Sequence, residues 1–364
     1  MRNPFPPVAA ALLGALLLNC TASRGPAPVP YDFLLGTYDG EGHAPGVYRL
    51  TLAPDGSLTG QRRVATASNP SFLAHGPRPG QLIAVEELTE GRVVSFLPSG
   101  DSLRQVNAVT ADGAYPCHVS VSQNGTVAVS NYGGGNVVTY QVEPDGSLTP
   151  PLDVEDHRQR GATQPHAHST YFLEGNRAVS ADLGTDELWL YRFNARTGQF
   201  DPAEPPTVKL PAGAGPRHLA FHPSGRWMYV INELNSTVSQ LDRDQPTVLG
   251  SWPTLPEDYR GKNQCADIHI SADGRFLYGS NRGHNSIAVF AIDADSGALT
   301  PLQHASVAGD WPRNFALSPD GRFILVANQR SNNITTLARH PRRGTLELVG
   351  STPAPTPVCI LFGL

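Results

Sequence analysis

Short apolar runs broken by glycine turns fill this chain, and the polar residues between them recur at matching places. Seven runs open on a polar, aromatic or proline-marked residue and continue apolar: Asn69–Gly80, Tyr115–Gly125, Pro165–Gly175, Pro216–Gly225, Cys265–Gly274, Trp311–Gly321 and Pro357–Leu364. Each of the first six leads into a second apolar run with a polar end, at Glu86 and Glu87, Asn131 and Tyr132, Asp182 and Leu183, Asn232 and Glu233, Asn281 and Arg282, and Asn328 and Gln329. Gly36, Thr37 and Tyr38 end a similar run near the start. A third run follows in each repeat, at Gly46–Leu50, Arg92–Phe96, Asn136–Tyr140, Glu187–Tyr191, Thr237–Leu241, Ser286–Phe290 and Asn333–Leu337. These are short and rich in β-branched and aromatic residues, as strands are. Asp55-Gly56, Asp145-Gly146, Ser296-Gly297 and Arg343-Gly344 then mark hairpins into a short outer strand, because glycine accepts the positive φ of such turns. No segment sustains a helical period.

Four short strands repeated every roughly 45–50 residues predict a β-propeller, and the count of repeats predicts seven blades. The count also closes. Pro357–Phe362 has the form of an innermost strand without a successor, and Phe33–Tyr38 that of a second strand without a predecessor. Pairing them completes the seventh blade and removes the open sheet edge. The expected fold is therefore all-β, a seven-bladed β-propeller over residues 31–364 closed by its terminal strands.

Composition agrees with many turns: 36 Gly and 33 Pro stand against only 16% charged residues. The net charge of −5 comes with no basic stripe, which argues against a nucleic-acid partner. Residues 1–20 read as a signal peptide, with Arg2 before an apolar run from Val8 to Leu18 that is too short to span a membrane. No transmembrane span is expected in the mature chain. Leu17, Leu18 and Asn19 before Cys20 resemble a lipoprotein signal that would leave a lipid anchor on Cys20; cleavage near Ala22 or Ala27 without lipid is the other reading. Residues 21–30, rich in Pro and Ala, read as a tether. The protein is thus expected to be exported, periplasmic or membrane-anchored. Cys117, Cys265 and Cys359 are too few and too widely spaced for a disulfide framework, so buried free thiols are expected.

Starts of innermost strands and ends of second strands meet at one end of a blade. The first set holds Ser71, His118, His166, His168, Arg217, His218, Asp267, Arg313 and Asn314. The second holds Glu87, Asn131, Asp182, Glu233, Arg282 and Gln329. So many charges on one rim predict a site for an anionic or oxygen-rich small molecule. Asn131, Asp182 and Asp267 can equally serve as backbone brackets. Arg217, Glu233 and Arg282 are harder to explain that way, since buried unpaired charge is costly. His166 and His168, two apart on a strand, would share a face, but no further Cys or His set completes a metal site, and no metal or cofactor is expected. A Gly-x-Ser-x-Gly elbow is absent, which argues against serine-centred hydrolysis.

Several stretches resemble the seven-bladed lactonase family, which includes propeller-type 6-phosphogluconolactonases and carboxy-muconate cyclase. They are Asn69–Ala74, Pro116–His118, Asn131–Gly135, Pro165–Ser169, Asp182–Gly184, Gly213–Leu219, Asn232–Leu234, Ser280–His284 and Pro312–Phe315, spread over residues 31 to 364. The resemblance implies a lactonase acting on a sugar lactone, with His168, Arg217, Glu233 and Arg282 as the catalytic group. His166 can exchange with His168 in this assignment. It implies that His168 or Glu233 activates water, that Arg217 and Arg282 bind the lactone and its oxyanion, and that no metal takes part. His118, Asn131, His166, Asp182, His218, Asp267 and Arg313 are then expected to contact substrate. A binding module for a carboxylate ligand or protein partner, and a lactone-forming cyclase, are the alternative readings. The expected export sits poorly with a phosphorylated, cytoplasmic sugar lactone and raises an unphosphorylated one.

Overall fold

The computed structural model describes residues 1, 29–40 and 44–363. The expected signal peptide, Cys20 and residues 21–28 of the expected tether lie outside the described residues. No described helix is long and apolar enough to cross a membrane.

Seven four-stranded antiparallel sheets make up the fold. We number them blades 1 to 7 by their second strands, which are Tyr31–Thr37, Leu82–Glu86, Thr126–Asn131, Arg177–Asp182, Trp227–Asn232, Phe276–Arg282 and Phe323–Asn328. The corresponding innermost strands are Pro357–Phe362, Leu73–His75, Pro116–Val121, Ala167–Leu173, Pro216–Phe221, Gln264–Ile270 and Pro312–Leu317. Blade 1 is the closing blade, as the sequence predicts. Phe33 pairs with Phe362, Leu34 with Leu361, Leu35 with Ile360 and Gly36 with Cys359. Gly36 is needed at this seam, because a Cβ there would lie 2.2 Å from the Pro70 carbonyl oxygen. Among the described residues, a single 3₁₀ turn, His157–Arg160, interrupts the strands.

Burial explains the patterning. Second strands are covered on both faces by neighbouring blades, so Leu82–Glu86, Thr126–Asn131, Trp227–Asn232 and Phe323–Asn328 are buried throughout and read as continuous apolar runs. Outer strands such as Leu58–Ala65 are mostly exposed. Each core is shared between blades. Ile83, Val85 and Val93 of blade 2 pack with Val119, Val129 and Tyr140 of blade 3. At the closing seam, Phe33, Leu35 and Leu50 pack with Leu325, Ala327 and Ile334. Cys117, Cys265 and Cys359 are buried free thiols in these layers.

The innermost strands contact one another in a closed ring around a central channel. Nearly all of them carry a β-bulge at the same place. Pro116 pairs with Asn131 and His118 with Ser130, which leaves Cys117 unopposed. The same slip leaves His168, Arg217 and Arg313 unopposed in blades 4, 5 and 7, and Val358 in blade 1. In blade 6 it falls between Cys265 and Ile268. A bulge re-aims a side chain and breaks the strict alternation of faces.

Candidate active site

Two positions per blade build the site. One is the bulge residue of the innermost strand. The other follows the buried polar residue that ends the second strand, and it is occupied by Tyr38, Glu87, Tyr132, Leu183, Glu233, Arg282 and Gln329 around the ring.

In blades 5 and 6 these positions bring Arg217, Glu233 and Arg282 together. One carboxylate oxygen, Oε2 of Glu233, lies 3.0 Å from Arg217 Nε and 2.6 Å from an Arg282 terminal nitrogen. Main-chain carbonyls at the start of one strand hold both guanidinium groups. Arg217 Nη1 donates to Ala266 O at 2.6 Å, while Arg282 donates from Nε to Gln264 O at 3.2 Å and from Nη2 to Cys265 O at 3.0 Å. Among the described residues, Nη2 of Arg217 and Nη1 of Arg282 have no protein partner. All three side chains are buried.

His168 stands beside this group, its ring 5.3 Å from that of His218 and 5.8 Å from that of Tyr132. Its Nδ1 is buried and has no hydrogen-bond partner among the described residues. Beneath, aromatic rings floor the channel. Phe72 of blade 2 lies 4.4 Å from His118 of blade 3 and 5.7 Å from His218 of blade 5, so contacts reach across nearly opposite blades. Asp267 braces this floor. It accepts from His218 Nδ1 at 2.8 Å, Ile268 N at 3.0 Å, His269 Nε2 at 3.0 Å, Asn314 Nδ2 at 2.6 Å and Phe315 N at 3.2 Å.

A second charged group lies in blades 1, 2 and 7. Glu87 Oε2 accepts from Tyr38 Oη at 2.7 Å and from Arg313 Nη2 at 3.4 Å. The Arg313 guanidinium lies over the Tyr38 ring at 5.1 Å.

Three residues expected at the substrate take other places. Asn131 donates to Ala111 O at 2.9 Å. Asp182 accepts from the backbone amides of His166, Gly184 and Thr185 and, at 2.5 Å, from His157 Nδ1. Both end second strands, where a buried side chain must satisfy turn amides and carbonyls rather than face the channel. His166 precedes its strand and stacks on Tyr132 at 4.4 Å, with Nδ1 at 2.9 Å from Tyr132 O. Sequence reasoning did not single out Tyr38 or Tyr132 as rim residues. Their place one step after Thr37 and Asn131, matching Glu233 after Asn232, is the signal that would have found them.

The family model "Lactonase, 7-bladed beta-propeller" matches residues 32–362. The chain belongs to the seven-bladed β-propeller lactonase family. It is 34% identical over 348 residues to the 6-phosphogluconolactonase of Bacillus subtilis, covering 91% of this chain and 98% of that one. It is also 34% identical to the periplasmic gluconolactonase of Pseudomonas aeruginosa, with a TM-score of 0.86 over 92% of this chain and 99% of that one. A putative 6-phosphogluconolactonase from Bacteroides fragilis superposes with a TM-score of 0.85 at 26% identity, over 93% and 99% of the two chains.

The electrostatics of this lactonase propeller favour neutral imidazoles beside fixed positive charge. Burial and the charge of Arg217 hold the His168 imidazole well below the usual histidine range. The same two causes bring His218 down to about 4 despite its bond to Asp267. Burial alone would raise Asp267, but His269 and His218 hold its carboxyl well below the usual range. At neutral pH, His218 therefore donates from Nδ1 to Asp267 and accepts at Nε2 from Arg217 Nη1, 3.3 Å away. Among the described residues, no three His, Cys, Asp or Glu side chains stand where they could hold a metal ion.

Proposed function

We propose that this protein hydrolyses a sugar lactone at the Arg217–Glu233–Arg282 group, with His168 as general base. The single observation that carries the reading is the shared carboxylate: two buried guanidinium groups meet on one Glu233 oxygen and leave an excess positive charge at the channel mouth. Such preorganised donors suit an oxygen that becomes negative during the reaction.

The lactone carbonyl oxygen takes the free Nη2 of Arg217 and Nη1 of Arg282. A water attacks the carbonyl carbon and gives a proton to neutral His168, whose Nδ1 has no hydrogen-bond partner among the described residues. The tetrahedral oxyanion is held by the two arginines. On collapse, the bond from the carbonyl carbon to the ring oxygen breaks, and His168 returns the proton to that oxygen. The product is a hydroxy acid, which ionises and acidifies the medium. Glu233 keeps the guanidinium groups in place; both lone-pair directions of its Oε2 are already occupied. His118, His218 and Arg313 shape the floor and far wall. The electrophile is a pair of arginines, so EDTA leaves the rate unchanged.

One relative is a 6-phosphogluconolactonase and another a periplasmic gluconolactonase, which supports a gluconolactone, with or without a phosphate, as the sugar lactone proposed here. The N-terminal signal expected from the sequence, with a lipid at Cys20 or cleavage without one, and the periplasmic relative favour an exported protein with residues 31–364 as its lactonase domain. The test is acid release, with EDTA present, from glucono-δ-lactone, its 6-phosphate and muconolactone. The reading requires turnover of a gluconolactone that disappears in the Arg217→Ala, Glu233→Ala double variant. Folded wild-type protein that does not exceed the spontaneous rate on any of the three would overturn it.

A further inference from the structure

Outside Arg282 lies a cavity of about 640 Å³ that the mechanism does not use; its walls include Leu234, Lys262, Gln264, Trp311 and Arg330. Its size falls within the range of small-molecule pockets, roughly 300–1,000 Å³. No carboxylate lines it, and among the described residues neither Lys262 nor Arg330 makes an ion pair. Arg282 is itself part of the wall, so the cavity and the Arg217–Glu233–Arg282 group share one guanidinium.

Trp311 joins the two spaces. The Arg330 guanidinium lies 3.4 Å above its ring centre and that of Arg282 lies 5.3 Å away. Its backbone is held at φ 67°, a left-handed conformation that costs a bulky residue energy unless its surroundings impose it. The surroundings do so here. Trp311 N donates to Asn285 Oδ1 at 2.9 Å, Gln329 N to Trp311 O at 3.1 Å and Arg330 N to Asp310 O at 3.1 Å. The nearby Asp310 carboxylate accepts from Asn285 Nδ2 at 2.8 Å rather than pairing with Arg330. The result is a fixed aromatic plate carrying Arg330, which has no ion-pair partner among the described residues, with the Glu233-paired Arg282 beside it.

We propose that this cavity is an anion subsite that seats a phosphate or carboxylate arm of the lactone substrate, with Lys262 and Arg330 as its charge and Trp311 as the plate that positions Arg330. This rests on the hydrolase reading, in that the arm is assigned to a substrate whose carbonyl is at Arg217 and Arg282. The far group offers no comparable seat, because Glu87 already neutralises Arg313.

The test is titration calorimetry with gluconate, glucarate and 6-phosphogluconate on wild type and on the Lys262→Glu, Arg330→Glu double variant, both exposed positions. Wild type should bind glucarate or 6-phosphogluconate at least about tenfold tighter than gluconate, and the double variant should lose that preference while its gluconate affinity stays within about twofold. The order of the two armed acids tells carboxylate from phosphate. Equal affinity for all three in wild type, or a preference that survives in the variant, overturns the subsite. Acid release from glucono-δ-lactone by the same preparations reports separately on hydrolysis. A preference without turnover refutes the hydrolase reading and leaves the subsite standing, and turnover without a preference does the reverse.

Discussion

The two charged groups at the channel mouth occupy the same blade positions yet carry different net charge. Arg217, Glu233 and Arg282 place two guanidinium groups on one carboxylate, with backbone carbonyls of Gln264, Cys265 and Ala266 holding them in place. Tyr38, Glu87 and Arg313 place one guanidinium and one phenol on one carboxylate. The first keeps a net positive charge in a buried setting, where it acts strongly on a nearby oxyanion. The second is balanced and suits neutral hydroxyls. A repeated backbone thus supplies position, and the local count of charges decides which positions do chemistry.

The comparison can be broken at the brace between the groups. Asp267 ties His218 of blade 5 to Asn314 of blade 7, and it is buried with five donors. Asp267→Ala should lower stability by ~3–5 kcal/mol in denaturant unfolding, because it leaves buried donors unpaired. Unchanged stability would show that the two groups are independent. Next in size, Arg282→Ala should lower kcat on glucono-δ-lactone by on the order of 100-fold in protein that is still folded at the assay temperature. Arg313→Ala should act mainly on KM and by less than about tenfold, as expected for binding without charge stabilisation. A loss in kcat as large as that of Arg282→Ala would erase the distinction.

The smallest effect is the position of the acid limb. His168 works as a neutral base, so activity is present above its pKa and lost as pH falls through it. Burial and Arg217 depress that pKa well below the usual histidine value. The profile of kcat/KM should therefore stay flat to below pH 6.5, with the fall displaced towards neutrality in Arg217→Ala. A limb at or above the ordinary histidine value would remove His168 from the base role.

Much of the fold was legible in the chain. The repeated polar ends fix the blade count, and the unmatched runs at Phe33 and Pro357 give the closure. The site was legible only to the level of a rim. Asn232 and Glu233 are adjacent polar residues in the sequence, yet the first bonds Thr237 and Ser239 within its blade while the second faces two arginines. Period-two alternation cannot separate such neighbours at a strand end, which is why the sequence alone puts Asn131 and Asp182 among the expected substrate contacts. The bulges add a second ambiguity. One unpaired residue at His168, Arg217 and Arg313 shifts the face of everything before it, and no local residue pattern announces that shift. Trp311 carries its role through a left-handed backbone that a sequence would assign to glycine, as at Gly215 in blade 5.

The most direct measurement sets Arg217→Ala beside Arg313→Ala in one acid-release assay on glucono-δ-lactone at neutral pH. Both remove a guanidinium from the bulge position of an innermost strand. The account predicts a loss in kcat of at least about 100-fold for Arg217→Ala and a loss below about threefold for Arg313→Ala. Equal losses in kcat, or a larger one for Arg313→Ala, would contradict the claim that chemistry resides on the Glu233 side of the channel.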